Sequence, residues 1–464
     1  MMFNRISEWV KRVIKMLSKS DVRNKIGVDV AVSDQMASAI NLWGRMYEGR
    51  APWLNDTTQS LNLSVAIASE MARLVTLELQ TEVSGSARAD YLNEQYQVVI
   101  SDIRAFTEYA CAKSGLIFKP YVTGDGIGVS YVQADCFFPT AFDSSGRIIG
   151  AVFADQVTRG DRYYTRLEYH DLTGDTYTVI NKAYRSSTQA DLGTEVPLAE
   201  IEDWADLQEH TTIQHIGKPL FGYFKIPLAN SIDPQSPLGV SVYARAVDLI
   251  READRQYSRI LWEYEGSELA VDADSTLFKR DERGNYILPQ GKERLFRALD
   301  LDDNNSKYNV FSPAIRDGSL FNGLNRLFQR IEFACGLAYG TLSDPQTVEK
   351  TAEEIKSSKQ RSYAMVVDIQ KALQTALEDM VYAMDTLCTL YHLAPAGTYE
   401  MSFEFDDSIV ADRQAEFAEK QQLVTAGIMQ PWEFRMWYFG ETEAQAKAMT
   451  ADTDEDEGAE HDYA

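Results

Sequence analysis

Cysteine, histidine, long apolar runs and positive charge are all scarce in this chain of 464 residues, and each scarcity closes off a class of function. The four cysteines, Cys111, Cys136, Cys335 and Cys388, are scattered with no CxxC pair, so no disulfide framework is expected. They suit a reducing compartment and burial. Among five histidines only His210 and His215 lie close, and no cysteine or carboxylate repeat completes a metal set around them. No apolar run nears the roughly 20 residues that cross a bilayer, so no integral membrane protein is expected. Lys and Arg total 45 against 70 Asp and Glu, a formal charge of −25. A protein that reads nucleic acid grips its backbone with clustered cations, and this balance argues against one. Acidity by itself speaks to solubility rather than function.

Catalytic signatures fail in the same way. Gly124-Asp-Gly126-Ile-Gly128 lacks the Lys-Ser or Lys-Thr of a P-loop and the spacing of a dinucleotide fingerprint, so it reads as a β-turn. Asp300, Asp302 and Asn304 mimic the first ligands of a calcium loop, but Asn305 and Phe311 stand where Gly and Glu are needed. That segment reads as a solvated loop. Carboxylates are too abundant for any pair to be nominated as a general acid and base. No enzyme, no cofactor and no metal are expected.

What is present is periodicity. Val242, Ala246, Leu249, Ala253, Tyr257, Ile260 and Tyr264 advance by three or four, one face of a helix that begins after Pro237 and spans roughly 33 Å. Leu320, Leu324, Leu327, Ile331, Cys335 and Ala338 repeat the pattern up to Gly340, a helix stop. Between them, short strand-like runs at Thr276–Phe278, Tyr286–Leu288 and Tyr308–Phe311, with a turn at Glu282–Asn285, predict a small β-containing unit at the tip of a helical pair. A polar loop with Asp344-Pro345 follows, then a capping box at Thr351 and Glu354 opening another helix. Its apolar stripe, Val366, Ile369, Leu373, Leu377, Met380, Met384, Leu387 and Tyr391, occupies the later half.

Residues 28–115 read mainly as helix, best at Leu61–Leu79 and Ala89–Cys111. A β-meander follows at Arg147–Gln156, Arg162–His170 and Asp175–Ala183, with turns at Gly160 and Gly174. In its middle strand Tyr163, Leu167 and Tyr169 alternate with Arg162, Arg166, Glu168 and His170, predicting one half-buried and one wet face. Tyr399–Phe405 alternates like a strand returning to that sheet, and 410–448 turns helical, broken at Gly427 and Pro431. Residues 1–25 hold seven Lys or Arg and an apolar helical stripe, so they read as a membrane-surface helix or, the favoured reading, as one packed on protein. Asp452–Asp462 is acidic with almost nothing apolar, and disorder is expected there.

The order of elements, with SPLGVSVYARAVDLIREAD (Ser236–Asp254), FSPAIRDGSLFNGLNRLFQRIEFACGLAYGTLSD (Phe311–Asp344) and TAEEIKSSKQR (Thr351–Arg361), resembles the portal proteins of tailed bacteriophages, most of all those of long-tailed phages of Gram-positive hosts. The resemblance implies an α+β portal fold in a ring oligomer. Its parts would be a wing of helices and antiparallel meander (1–235), a first stem helix (236–268), a clip (269–318) and a second stem helix (319–339). A tunnel loop (340–350), a long wing helix with a returning strand (351–409), a helical crown (410–450) and an acidic tail (451–464) would complete it. It further implies a ring of twelve copies at one capsid vertex of the virion, assembled in the host cytoplasm, through which double-stranded DNA passes without sequence specificity. Partners would be the large terminase subunit, the major capsid and scaffolding proteins, and a head-completion or tail adaptor; no membrane is expected.

By position, Thr341, Ser343, Asp344, Gln346, Thr347, Glu349 and Lys350 would contact DNA from the tunnel loop. Lys279, Arg280, Glu282, Arg283 and Asn285 would form the clip docking surface. Lys350, Lys356 and Lys359 would face phosphates weakly or be ordinary solvated charges. An acidic ring suits a conduit, since DNA must slide without sticking. The alternative, from another class, is a peripheral membrane or assembly adaptor using the basic N-terminal helix.

Overall fold

The computed structural model describes residues 19–124, 126–189, 191–287, 295–299, 308–344, 352–405, 413–440, 442–443 and 445–450, except the side chains of 352–359 and 413–416. The N-terminal part is helical: α1 (Lys19–Ile26), α2 (Asp34–Tyr47), α3 (Leu63–Thr76), then strand β1 (Leu79–Ser84), α4 (Ala87–Ser101) and α5 (Ile103–Lys113). Ser33 and Ser86 cap α2 and α4 by accepting the Met36 and Ala89 amides, as N-cap hydroxyls do. The long helical stretch expected at Ala89–Cys111 is broken at Asp102, whose backbone leaves the helical region. Trp43, Ile67, Met71, Leu92 and Tyr96 carry these helices into one core.

Strands β2 (Gly115–Thr123) and β3 (Gly126–Gln133) form a hairpin, and β10 (Gly222–Lys225) adds antiparallel to β2. The Gly124–Gly128 segment is therefore turn and strand, as its reading predicts; Asp125 lies outside the described residues. A larger sheet runs β4 (Phe137–Phe142), β5 (Ile148–Arg159), β6 (Arg162–Thr173), β7 (Thr176–Ser186) and β8 (Thr194–Val196), with β9 (His210–Ile213) also on β7. Its turns place Gly160 at φ +60 and Gly174 at φ +65, the left-handed region where a Cβ is strained.

Two expectations for this region need correction. Tyr399–Phe405 does form a strand, β16 (Glu400–Phe405), but it pairs with β1 and not with the meander. The predicted wet face of β6 is wet only at its start, where Arg162 is 51% exposed; the Arg166, Glu168 and His170 side chains are 14, 13 and 7% exposed. Lys119 from β2 joins Glu168, and Phe153, Phe221 and Tyr177 ring His170. Alternation showed which residues share a face, but the covering layer comes from elsewhere in the chain.

The remaining elements are α6 (Val247–Gly266), β11 (Ala270–Asp274), β12 (Lys279–Arg280), β13 (Tyr286–Ile287), β14 (Phe296–Leu299), β15 (Tyr308–Phe311), α7 (Asp317–Cys335) and α8 (Ala352–Leu390). The α8 stripe is core as predicted, with Ile369, Leu373, Leu377, Met380 and Met384 fully buried, each contributing roughly 1.5–3 kcal/mol. Only its end departs: Tyr391 is 60% exposed. Gly222 lets α8 ride on β10, since a Cβ there would sit 2.1 Å from the Ala376 carbonyl. Residues 405–464 cluster as a separate unit containing α9 (Arg413–Thr425) and α10 (Pro431–Phe439), joined through Gly427 at φ +68. Residues 1–18 and the acidic tail lie outside the described residues.

Candidate functional site

The helical pair α6–α7, its tip and the loop after it form the site. The first helix begins later than its apolar spacing predicts. Residues before Val247 are drawn into the fold instead: the Val242 amide and the Ser241 hydroxyl donate to the Cys111 carbonyl at 3.0 and 3.2 Å. Gly239 runs so close to the backbone that a Cβ would meet the Ser114 carbonyl at 2.3 Å. The stripe is nonetheless internal at Val242, Ala246, Ala253 and Ile260, leaving only Tyr264 exposed at its end. Midway along α6, Asp254 accepts from Trp53 Nε1 and the Leu61 amide, both at 2.8 Å. Burial pushes its carboxyl up, against those two bonds.

Arg316 and Glu263 form a bidentate pair at 3.0 and 2.8 Å that ties the tip-side ends of the two helices together. The hydrogen bonds and charge of Arg316 hold the Glu263 carboxyl below its usual range. Beyond it the tip carries a sheet in the order β14-β11-β15, with Arg297 bonded to Asp272 at 2.6 Å, and a separate β12–β13 hairpin. Thr276–Phe278, expected as strand, is mostly a 3-10 turn, because Asp274 accepts the Thr276 amide and closes it. The hairpin turn lies where the sequence predicts. Asp281 accepts the Arg283 and Asn285 amides at 2.9 and 2.8 Å, and Gly284 takes φ +86. Lys279, Arg280, Glu282, Arg283 and Asn285 are thereby gathered, all exposed, on one hairpin. Arg280 is fixed over the Tyr286 ring at 4.6 Å and donates to its hydroxyl.

Helix α7 ends at Gly336, not Gly340. Gly336 takes φ +69 and the Leu337 amide reaches back to the Glu332 carbonyl at 2.9 Å, a C-terminal cap that leaves Ala338 outside the helix. Gly336 also lets α8 approach, since a Cβ would lie 2.4 Å from Met365 Sδ.

The chain then doubles back along α7. Glu332, fully buried, accepts the Leu342 amide at 2.6 Å, the Ser343 amide at 2.8 Å and the Ser343 hydroxyl at 2.9 Å. Two turns nearer the tip, Asn325 Oδ1 accepts the Asp344 amide at 2.8 Å. Of the loop residues singled out from the sequence, Thr341 and Asp344 are exposed and Ser343 is buried in this latch. Gln346, Thr347, Glu349 and Lys350 lie outside the described residues, as do the side chains of Lys356 and Lys359, and so do Thr351 and the Glu354 side chain of the capping box. The latch residues Glu332 and Asn325 escaped the sequence reading, because nothing in their spacing distinguishes a buried acceptor from a solvated helix residue.

Elsewhere, the charges on β6 satisfy one another. Glu168 bonds His170 at 2.6 Å and Arg166 at 3.1 Å and pairs with Lys119; His170 meets the Tyr177 hydroxyl at 2.6 Å. Burial works against the Glu168 charge, yet Lys119, Arg166 and His170 outweigh it and hold its carboxyl well below the usual range. For Asp155 burial wins over Arg166 and Lys119 and pushes the carboxyl up to about 6. The cluster is closed by protein on its own terms. Among the described residues no group of His, Cys, Asp and Glu could hold a metal ion, and no helix is long and apolar enough to cross a membrane. Cys111, Cys335 and Cys388 are buried and Cys136 partly so, all as free thiols. Asp300, Asp302 and Asn304 lie outside the described residues.

Residues 90–459 match the family described as phage portal protein, SPP1 Gp6-like. None of the curated proteins compared matches the chain. One similar solved structure is a chain from the neck of a native GTA particle computed with C12 symmetry, at 10% identity and TM-score 0.41, covering 90% of this chain and 98% of that one. A second comes from the neck of an empty GTA particle computed with C6 symmetry, at 10% identity and TM-score 0.38, covering 87 and 93%.

Proposed function

This chain belongs to the SPP1 Gp6-like phage portal protein family, a structural and non-enzymatic one, and from that premise we propose that it forms the ring through which genome DNA is packaged into and ejected from a capsid. The observation that carries the reading is the α6–α7 pair held between two fixed ends: the Arg316–Glu263 tie at the tip, and the Glu332 latch where the loop begins. In a ring of twelve copies these pairs form the stem. The hairpin around Asp281 belongs to the clip, and its exposed charges at Lys279, Arg280, Glu282, Arg283 and Asn285 suit a docking surface for the large terminase subunit and later a head-completion or tail adaptor.

The helices and sheets before residue 236 form the wing with α8, and α9–α10 the crown, where capsid and scaffolding proteins are met. The loop around Asp344 narrows the channel. Glu332 and Asn325 pin residues 342–344 to α7 and so fix the base of that loop on the helical pair. With a charge of −25 per copy the conduit repels a polyanion overall, so contacts with DNA are weak and many. Negative-stain imaging with light scattering of the purified chain tests this: rings with a central hole of about twelve-fold symmetry are expected from the family resemblance, and a monomer or dimer at every salt concentration would overturn it.

A further inference from the structure

The stem carries one face whose charge runs against the rest of the chain. On α6, Arg251 pairs with Asp248 at 3.0 Å, and Arg255 and Arg259 reach Glu252 at 3.7 and 4.0 Å. These arginines are neutralised by their own helix. Helix α7 is built differently: it opens on Asp317, contains no acidic residue from Gly318 to Ile331, and its second acid, Glu332, is buried with its carboxylate taken by Leu342 and Ser343. Arg326 and Arg330 are both exposed, and neither has an ion-pair partner among the described residues.

Helical geometry puts Arg326 on the side of α7 away from Leu324 and Ile331, which are 4 and 0% exposed in the core, with Arg330 about 40° round from it. The same outward face holds Asn322, Gln329 and Phe333, so α7 itself presents no acid beside either arginine there; the nearest acids are Glu332, buried and taken by the loop amides, and Asp344 at the base of the loop. At its loop end Arg361 of α8 lies over the Phe333 ring at 4.4 Å and the Tyr339 ring at 5.6 Å, and its Nε and Nη2 are buried with no acceptor. Uncompensated cations on a chain of −25 are free to attract an anion from outside.

We propose that the outward face of α7 bearing Arg326 and Arg330 contacts the phosphate backbone of duplex DNA. This rests on the channel reading given above and specifies which side of the stem faces the lumen. Four residues of helix separate the two guanidinium stems by about 6 Å along the axis, close to two phosphate steps of one strand at about 3.4 Å each. The latch supplies the adjacency: Asn325, next to Arg326, holds the Asp344 amide, so the arginine face and the base of the narrowing loop lie side by side. With only two such cations per copy and neutral residues between them, the contact is sequence-independent and easily broken, as sliding requires.

The test uses purified rings of the full chain and a short fluorescent duplex, titrated by anisotropy from about 50 to 200 mM salt. Arg326→Gln with Arg330→Gln is expected to leave ring size unchanged, weaken binding about tenfold at the lowest salt and flatten the salt slope by about 2. Arg326→Lys with Arg330→Lys keeps the charge and should keep most of the binding. Rings of the Gln variant that bind the duplex with the wild-type affinity and slope would overturn the assignment. Gln variants that no longer assemble, while the Lys variant does, would overturn it in favour of a contact between copies. A wild-type chain that forms no ring and binds no duplex would instead remove the channel reading itself.

Discussion

Replacing Glu332 by Ala tests the latch that joins α7 to the loop after it. The wild-type carboxylate is fully buried and satisfies the Leu342 amide at 2.6 Å, the Ser343 amide at 2.8 Å and the Ser343 hydroxyl at 2.9 Å. Alanine leaves two amides without an acceptor. Each unpaired buried donor costs about 1–3 kcal/mol, so the local structure should lose about 3 kcal/mol or more. Because 1.4 kcal/mol is a factor of ten, the Leu342 and Ser343 amides should exchange with deuterium on the order of 100-fold faster. Amides in β5 and β6 should exchange at unchanged rates, which separates a local opening from general destabilisation. Glu332→Gln keeps an oxygen at the position that accepts both amides, losing only the charge, and should recover most of the lost free energy. The reasoning is refuted if the two loop amides keep their wild-type protection in Glu332→Ala, or if they lose it only together with the meander.

Gly222→Ala should destabilise the fold by about 3 kcal/mol or more in denaturant titration, since its Cβ would fall 2.1 Å from the Ala376 carbonyl and force α8 off β10. Asp155→Asn reports the buried charge cluster. Its folded pKa of about 6 lies above the ordinary 3.8, so wild type is most stable on its account below pH 3.8 and loses that stability as pH rises through 6. The variant should therefore gain relative to wild type on moving from pH 4.5 to pH 7.5, by about 1 kcal/mol once the undiscounted linkage of about 2 kcal/mol is reduced for the 22% exposure of the side chain; a gap between the two proteins that is independent of pH would contradict the sign. Making the loop basic with Asp344→Lys and Glu349→Lys should slow DNA translocation in a packaging assay, because each added cation lengthens contact with phosphate; unchanged rates would count against weak contacts as the reason for acidity.

The α6–α7 pair was legible because its signal is periodic. Leu324, Ile331, Ala253 and Ile260 recur at helical spacing and are buried accordingly. Its ends were not legible at the same resolution. Val242 and Ala246 continue the stripe in sequence, but Ser241 donates to the Cys111 carbonyl of α5 and Gly239 packs against the Ser114 and Ile226 backbone, so packing delays the helix to Val247. At the other end two glycines, Gly336 and Gly340, both adopt positive φ, and the sequence alone does not say which one stops the helix. The wet face assigned to β6 failed for a related reason: alternation separates two faces without showing that Lys119 and Phe221 cover the charged one. The latch was invisible because Glu332 reads as a solvated helix residue. Its partners are backbone amides, which no sequence pattern marks.

The most direct test of the account is a three-dimensional reconstruction of the assembled ring at a resolution that traces helices. The account predicts a central hole walled by α6 and α7, with Arg326 and Arg330 turned inward, the β12–β13 hairpin at one mouth and Asp344 at the constriction. A hole walled by the β5–β7 meander, or a ring in which the outward face of α7 is covered by the next copy, would contradict it.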